Sequence, residues 1–143
     1  MKPLYAAIVA ILTTSAIGCT AQARAPQPVP VDRAECARCR MLISTETGAA
    51  QIVSLRDETR FYDDVGCLAA DWTVHRNGAT AFVRTAAAWR DVTTVSFAQP
   101  EGSRTAMDSG FVAFATAAEA EAADRAGRAL SWNDVVRVAE GRR

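Results

Sequence analysis

The chain has little of what most metal, nucleic-acid and membrane sites require. Its 143 residues contain one histidine, His75, and one lysine, Lys2. Basic and acidic side chains are equal in number and form no basic run, which argues against a nucleic-acid partner. The apolar run from Leu4 to Leu12 is far shorter than the roughly 20 residues that a membrane-spanning helix needs. A chain of 143 residues allows one small domain and little else.

Cysteine is also scarce, but it is concentrated. The sequence has four cysteines, and no second pair of ligands accompanies Cys36 and Cys39, so a zinc ribbon is not expected. Residues 36–41 nevertheless hold two thiols and the thioether of Met41, and Met107 lies in a second sulfur-bearing stretch at 105–110. Soft sulfur donors favour soft metals, above all Cu(I). The sequence therefore predicts a soft-metal site.

The N-terminus has the pattern of an export signal. Lys2 precedes the apolar run, and small and polar residues then lead to Ala16-Ile-Gly-Cys19, which fits a bacterial lipobox. We expect a lipoprotein signal peptide at 1–18, with Cys19 lipidated and the protein held on the periplasmic side of a membrane, which we take to be the outer membrane. An ordinary signal peptide with a chance cysteine is the other interpretation.

The remaining chain predicts a tether and a folded domain. Three prolines within 26–30 favour extended conformations, so residues 19–30 are predicted to be the tether and residues 31–140 the domain. Apolar patterns predict strands at 49–55, 59–62, 81–84, 92–97 and 111–114. Helices are predicted at 64–74, with Asp63 or Asp64 as the cap, and after capping boxes at 116–125 and 131–139. The pattern predicts an α+β domain of two small units, each a few strands plus a helix.

The Cys-x-x-Cys of Cys36 and Cys39 has three interpretations: a metal site, a thiol–disulfide exchange motif or a structural disulfide. A thioredoxin-type motif follows a strand and opens a helix, whereas the flanks at 32–35 and 42–48 predict a loop. This favours the metal. Met41 is one residue from Cys39, so its thioether can point to the same centre. Met107 precedes a turn, and ligands are commonly presented on such loops.

Two further positions leave their roles open. Cys67 falls in the first turn of the predicted first helix, where it is a ligand or a small buried residue facing the hairpin. Asp63 and Asp64 are interpreted as a cap and one solvated acid. If Cys19 is acylated, three thiols remain, and an odd number leaves at least one thiol free or bound to something else.

Five segments, in order behind the lipobox, resemble the NosL family, the accessory lipoproteins of nitrous oxide reductase maturation. The resemblance runs from about Cys36 to Val136, and the matching segments lie at 36–41, 50–52, 61–67, 89–91 and 106–114. The chain departs from the family at two positions. The family usually has Cys-Gly-Met where this chain has Arg40, and Pro-Met-Gly where it has Ala106-Met107-Asp108.

The resemblance implies a fold of two ββα-type units, similar to part of organomercurial lyase, and a protein without enzymatic activity. It implies one bound Cu(I), passed to nitrous oxide reductase or its maturation machinery. Cys39, Met41 and Met107 are then the candidate copper ligands, with Cys36 and Cys67 as further candidates. The competing hypotheses are a periplasmic thiol–disulfide oxidoreductase that uses Cys36 and Cys39, and a copper-scavenging lipoprotein without a dedicated client.

Overall fold

A computed structural model of the chain describes residues 24–142. The predicted signal peptide lies outside the described residues, as do residues 19–23 of the predicted tether, which include Cys19. Between residues 24 and 142, no helix is both long and apolar enough to cross a membrane.

Within residues 24–142, six strands form two antiparallel sheets, and three helices pack on them. The four-stranded sheet has the order β2-β1-β3-β4, and the second sheet pairs β5 with β6. In chain order the elements are β1 (Ala50–Ser54), β2 (Arg60–Tyr62), α1 (Val65–His75), β3 (Ala79–Arg84), β4 (Trp89–Asp91), β5 (Ser96–Ala98), β6 (Val112–Phe114), α2 (Ala117–Ala123) and α3 (Trp132–Gly141). The molecule is thus a small mixed domain with antiparallel sheets, compatible with the predicted α+β class.

Strand β1 lies at the centre of the larger sheet and is buried along most of its length. Its register places Ala50 opposite Tyr62 of β2 and opposite Val83 of β3. The buried Gln51 of this strand exchanges two hydrogen bonds with the backbone of Gln27, at 2.8 and 3.0 Å. Packing therefore begins before residue 31, because Gln27 satisfies an amide side chain that the sheet would otherwise leave buried without a partner.

The strand predicted at 92–97 is wrong, because two short strands lie on either side of a turn instead. Strand β4 ends at Asp91, whose side chain accepts hydrogen bonds from the amide and the hydroxyl of Thr93, at 2.8 and 2.7 Å. These bonds close one turn of 3₁₀-helix at Val92–Thr94. The chain then enters β5, so it leaves the large sheet and starts the small one.

The predicted helices are confirmed together with their caps. Asp64 caps α1, and complete capping boxes open α2 at Thr116 and α3 at Ser131. Helix α3 packs on α1 and on the small sheet through Trp132, whose ring lies 6.1 Å from Trp72 and 5.8 Å from Phe97. This contact joins the two halves of the chain around one core.

Candidate metal centre

Four side chains from three parts of the fold form one cluster. Cys36 and Cys39 come from the loop before β1, Asp63 follows β2, and Cys67 lies in the first turn of α1. Their sulfur and carboxylate atoms all lie within 4.8 Å of one another. Ligands about 2.3 Å from a tetrahedral ion stand roughly 3.8 Å apart, so a small contraction would close this group around a metal.

The loop that carries Cys36 and Cys39 is a tight turn docked on the sheet. The amide of Cys36 donates to the carbonyl of Met41 at 2.8 Å, and the amide of Arg40 donates to the carbonyl of Cys36 at 3.0 Å. The amide of Ala37 donates to the carbonyl of Phe61 at 2.8 Å, which fastens the turn to β2. The motif therefore lies in a loop, as predicted, and not between a strand and a helix.

Backbone amides of this turn point at the sulfurs. The amides of Cys39 and Asp63 donate to Cys36, and the amide of Met41 donates to Cys39. Such bonds favour the thiolate over the thiol, because the charged form is the stronger acceptor. A thiolate is also the form that binds a metal. The amides of the turn therefore favour the form of these two cysteines that a metal needs.

The three thiols differ in their acidity. A hydrogen bond from the Cys67 thiol lowers the pKa of Cys36 to about 6, with help from the two amides. Burial raises the pKa of Cys39 to about 11. The pKa of Cys67 is also raised, first because its proton is held by Cys36 and then because the thiol is buried. Without a metal, the Cys36 and Cys67 sulfurs therefore share a proton as a coupled pair, in which the negative charge is favoured on Cys36.

Asp63 is a member of the cluster that the sequence analysis did not identify as a ligand. The interpretation of one cap and one solvated acid is wrong in its second half, because Asp63 is 9% exposed. The Cys39 thiol donates to its two carboxylate oxygens, at 3.3 and 3.6 Å. The sequence feature that could have identified Asp63 is its position between the predicted hairpin and the predicted helix that carries Cys67.

The two candidate methionines lie nearer to the surface. The Met41 side chain is 48% exposed and Met107 is 45% exposed. Met107 borders a cavity that Cys67 and Arg38 also line, so the structure brings its loop to the edge of the thiol cluster. The convergence of Cys39, Met41 and Met107 on one metal remains a prediction.

The loop of Met107 is fixed to helix α1 by a buried carboxylate. Asp64, 1% exposed, accepts hydrogen bonds from the Met107 amide at 3.1 Å, the Ser109 hydroxyl at 2.5 Å and the Gly66 amide at 2.6 Å. The approach is so close that a Cβ added at Gly66 would lie 2.5 Å from the Cβ of Ser109. Glycine is therefore required there for the loop to reach the helix that carries Cys67.

Between residues 24 and 142 the three cysteines, Cys36, Cys39 and Cys67, are free thiols, so all are available as ligands. A search of protein families, curated proteins and solved structures found no match for this chain. The cluster is therefore interpreted through its own geometry and chemistry: three sulfurs and one carboxylate, held by a rigid turn and a helix N-terminus, that could hold a metal ion.

Proposed function

We propose that the protein is a membrane-anchored periplasmic carrier of Cu(I), which delivers copper for assembly of the copper centres of nitrous oxide reductase and performs no catalysis. The observation that carries the proposal is the cluster of Cys36, Cys39 and Cys67, whose sulfurs lie within 4.8 Å of one another. Three thiolates form a soft, anionic site of the kind that Cu(I) prefers. Copper is here the cargo of the protein.

The donor set distinguishes copper from zinc. A structural zinc site takes four ligands, and Asp63 is the only oxygen donor in the cluster that can supply the fourth. Cu(I) is satisfied by sulfur, and the exposed thioethers of Met41 and Met107 would be further donors of the kind it prefers. Thioethers carry no charge, do not titrate and cannot form disulfides, so they suit the release of Cu(I) in an oxidising compartment.

Two features of the backbone support the resemblance to the NosL family. The chain order β1-β2-α1 and then β5-β6-α2 contains two ββα segments. Arg40 has a φ of 67° and Asp108 a φ of 53°, and these are the positions at which the family pattern has glycine. Glycine is the residue that adopts such left-handed conformations without strain. Both turns thus keep the backbone that the family's glycines would give.

A carrier must hold copper firmly and still release it to a partner. Cys36 is fully buried and Cys67 is 5% exposed, whereas Cys39 is partly exposed and Met41 lies at the surface. An incoming ligand that reaches the ion can therefore bind it while other thiolates still hold it. The reaction is ligand exchange, which requires no change in the oxidation state of the metal.

Anaerobic titration with Cu(I), with the stoichiometry measured by mass spectrometry, tests the proposal. We expect one Cu(I) per chain, bound in preference to Zn(II). Asp63→Asn sharpens the test, because it should weaken Zn(II) binding and leave Cu(I) affinity nearly unchanged if copper is held by sulfur alone. Tight stoichiometric zinc binding without any preference for Cu(I) would show that the proposal is wrong.

The low pKa of Cys36 favours a second candidate, a thiol–disulfide oxidoreductase that uses Cys36 and Cys39. Reactive thiols in such enzymes have lowered pKa values, and that of Cys36 is about 6. Its sulfur is fully buried, however, and the motif lies in a loop. Measuring the reduction of a protein disulfide by the wild type and by Cys36→Ser tests this candidate.

Copper scavenging without a client is tested by whether the apo reductase accelerates copper release.

A further inference from the structure

A cavity of about 190 Å³ lies between helices α1 and α3 and the loop before β6. Cys67 and Met107 border it, together with Phe111 and the side chains of Arg38 and Arg142. This volume corresponds to a few water molecules at roughly 30 Å³ each. It is large enough for the end of a small thiol and too small for a folded partner.

Cys67 connects this cavity to the metal centre. Its side chain lines the cavity, and its sulfur lies within 4.8 Å of the other ligand atoms of the cluster. A molecule that enters the cavity therefore meets a metal ligand directly. The floor is kept in place because Asp64 bonds the Met107 loop to the start of α1.

The walls of the cavity combine a positive charge with apolar side chains, which favours a small molecule that has both an anionic and an apolar part. Arg38 forms an ion pair with Asp71 at 2.8 Å, which offsets its charge. Arg142 lies over the ring of Phe111, 5.6 Å from the ring centre, and donates to the carbonyl of Ser109 at 3.3 Å. In the described part of the chain Arg142 forms no ion pair. Its charge is thus free to attract an anion, while Met107 and Phe111 offer apolar contact.

We propose that this cavity is the entrance for a small thiol that carries a carboxylate group, and that this thiol exchanges with Cys67 on bound copper. The proposal rests on the proposed function. In the exchange, the incoming sulfur forms a bond to Cu(I) as its proton is lost, and the bond from copper to Cys67 breaks as that thiolate takes up a proton. Copper stays Cu(I), so neither an oxidant nor a reductant is needed.

Copper release to a chromophoric chelator tests the entrance, with full-length protein in a nonionic detergent. The probes are 3-mercaptopropionate, which is anionic, and 2-mercaptoethanol, which is a neutral thiol of similar size. For each protein we take the ratio of the two accelerated release rates. Intrinsic differences between the thiols cancel when this ratio is compared between variants.

Arg142→Gln should lower the ratio about threefold or more, because a nearby charge raises the local concentration of an oppositely charged ligand. Arg142→Lys should restore it. Arg137→Gln is the control. Arg137 lies on α3, of which Arg142 is the C-cap, and it is exposed, pairs with Asp134 and does not line the cavity; its ratio should equal that of the wild type. Added salt should reduce the wild-type ratio.

An unchanged ratio in Arg142→Gln would overturn the proposal and would place the entrance elsewhere, as would an equal loss of rate with both thiols. The wild type is first tested for Cu(I) uptake. If it binds no copper, the proposed function fails; if it binds copper and Arg142→Gln keeps the wild-type ratio, only the entrance fails.

Discussion

The amide of Met107 donates a hydrogen bond to Asp64 Oδ2 at 3.1 Å, across 43 positions of sequence. The same carboxylate caps α1 through Gly66 and accepts the hydroxyl of Ser109. One buried side chain therefore fixes the exposed thioether loop to the helix that carries Cys67. The spacing of these two sulfur positions is set by Asp64, although Asp64 itself lies outside the thiol cluster.

Ser109→Ala should destabilise the protein by about 1.5–3 kcal/mol, because a buried carboxylate loses one of its donors. Ser109 is 7% exposed, and its hydroxyl donates to Asp64 at 2.5 Å. Ser131→Ala is the control: it removes a cap on an exposed helix start and should cost only about 1 kcal/mol. Urea denaturation of both variants measures the difference. Equal losses would show that Asp64 does not depend on Ser109.

Local features of this fold were predictable from sequence, and the site was predictable only in part. The caps at Asp64, Thr116 and Ser131 depend on residues a few positions apart, so the patterns sufficed. The strand predicted at 92–97 failed because the apolar residues Val92, Val95 and Phe97 did not reveal that Asp91 would turn the chain into a second sheet.

The membership of the cluster depends on contacts between distant residues. Cys36 meets Cys67 only because the sulfur turn docks on β2 through the bond from Ala37 to Phe61. No spacing rule contains that bond, since it joins a loop to strand β2, and the whole of β1 lies between them in the sequence. The absence of a second Cys-x-x-Cys argued against a zinc ribbon, yet Asp63 and Cys67 come from separate elements to complete a group of four side chains that could hold a metal ion.

Arg40 should be better replaced by glycine than by alanine. Its φ of 67° is left-handed, and this conformation costs an L-residue such as alanine roughly 1–2 kcal/mol. Glycine avoids this strain but loses more conformational freedom on folding, which costs about 0.5–1 kcal/mol. Both variants lose the surface ion pair with Glu35, so that loss cancels. We expect Arg40→Gly to be about 1 kcal/mol more stable than Arg40→Ala. At Glu121, inside α2, the alanine variant should instead be more stable than the glycine variant. Thermal denaturation of Arg40→Gly, Arg40→Ala, Glu121→Gly and Glu121→Ala measures both differences.

Copper binding should release about two protons per ion near pH 7.5. Cys36 has a pKa of about 6 and is already a thiolate, whereas Cys39, with a pKa of about 11, and Cys67 are protonated. Because the bound state holds fewer protons, the apparent affinity should rise with pH in this range, and more steeply below the pKa of Cys36. Calorimetry in buffers of different ionisation enthalpy counts the protons. Cys67→Ser should release about one, since the serine hydroxyl can donate to Cys36 in place of the thiol. An unchanged count in a variant whose Cys36 still titrates near its wild-type pKa would remove Cys67 from the ligands.

Cys19→Ser should release the protein from the membrane fraction, because acylation requires that thiol. Cys19 lies outside the described residues, so the prediction depends on the lipobox alone. Cell fractionation followed by a salt wash measures it. A mutant that still pellets with the washed membranes would refute the lipoprotein assignment.

The choice of copper ligands is tested by single substitutions, with Cu(I) affinity measured by competition with a chromophoric chelator under reducing conditions. The Cys-x-Met interpretation predicts that Cys39→Ser costs most affinity and that Cys36→Ser matters less. The cluster predicts that Cys36→Ser and Cys67→Ser are comparably severe, since all three sulfurs lie within 4.8 Å of one another. Loss of a direct ligand should cost more than the tenfold to hundredfold that loss of an outer partner typically costs.

Met107→Leu and Met41→Leu complete the series, because they exchange a thioether for a side chain of similar volume. The two methionines are 45% and 48% exposed, so either change should cost less than about 1.5 kcal/mol of stability. If the thioethers join the copper site, each variant should bind Cu(I) more weakly while the fold is kept. The oxidoreductase hypothesis predicts the opposite pattern, in which Cys36→Ser abolishes disulfide reduction and both methionine variants are silent. Unchanged copper affinity in Met107→Leu would remove Met107 from the site, and unchanged affinity in both methionine variants would leave the thiol cluster as the whole of it.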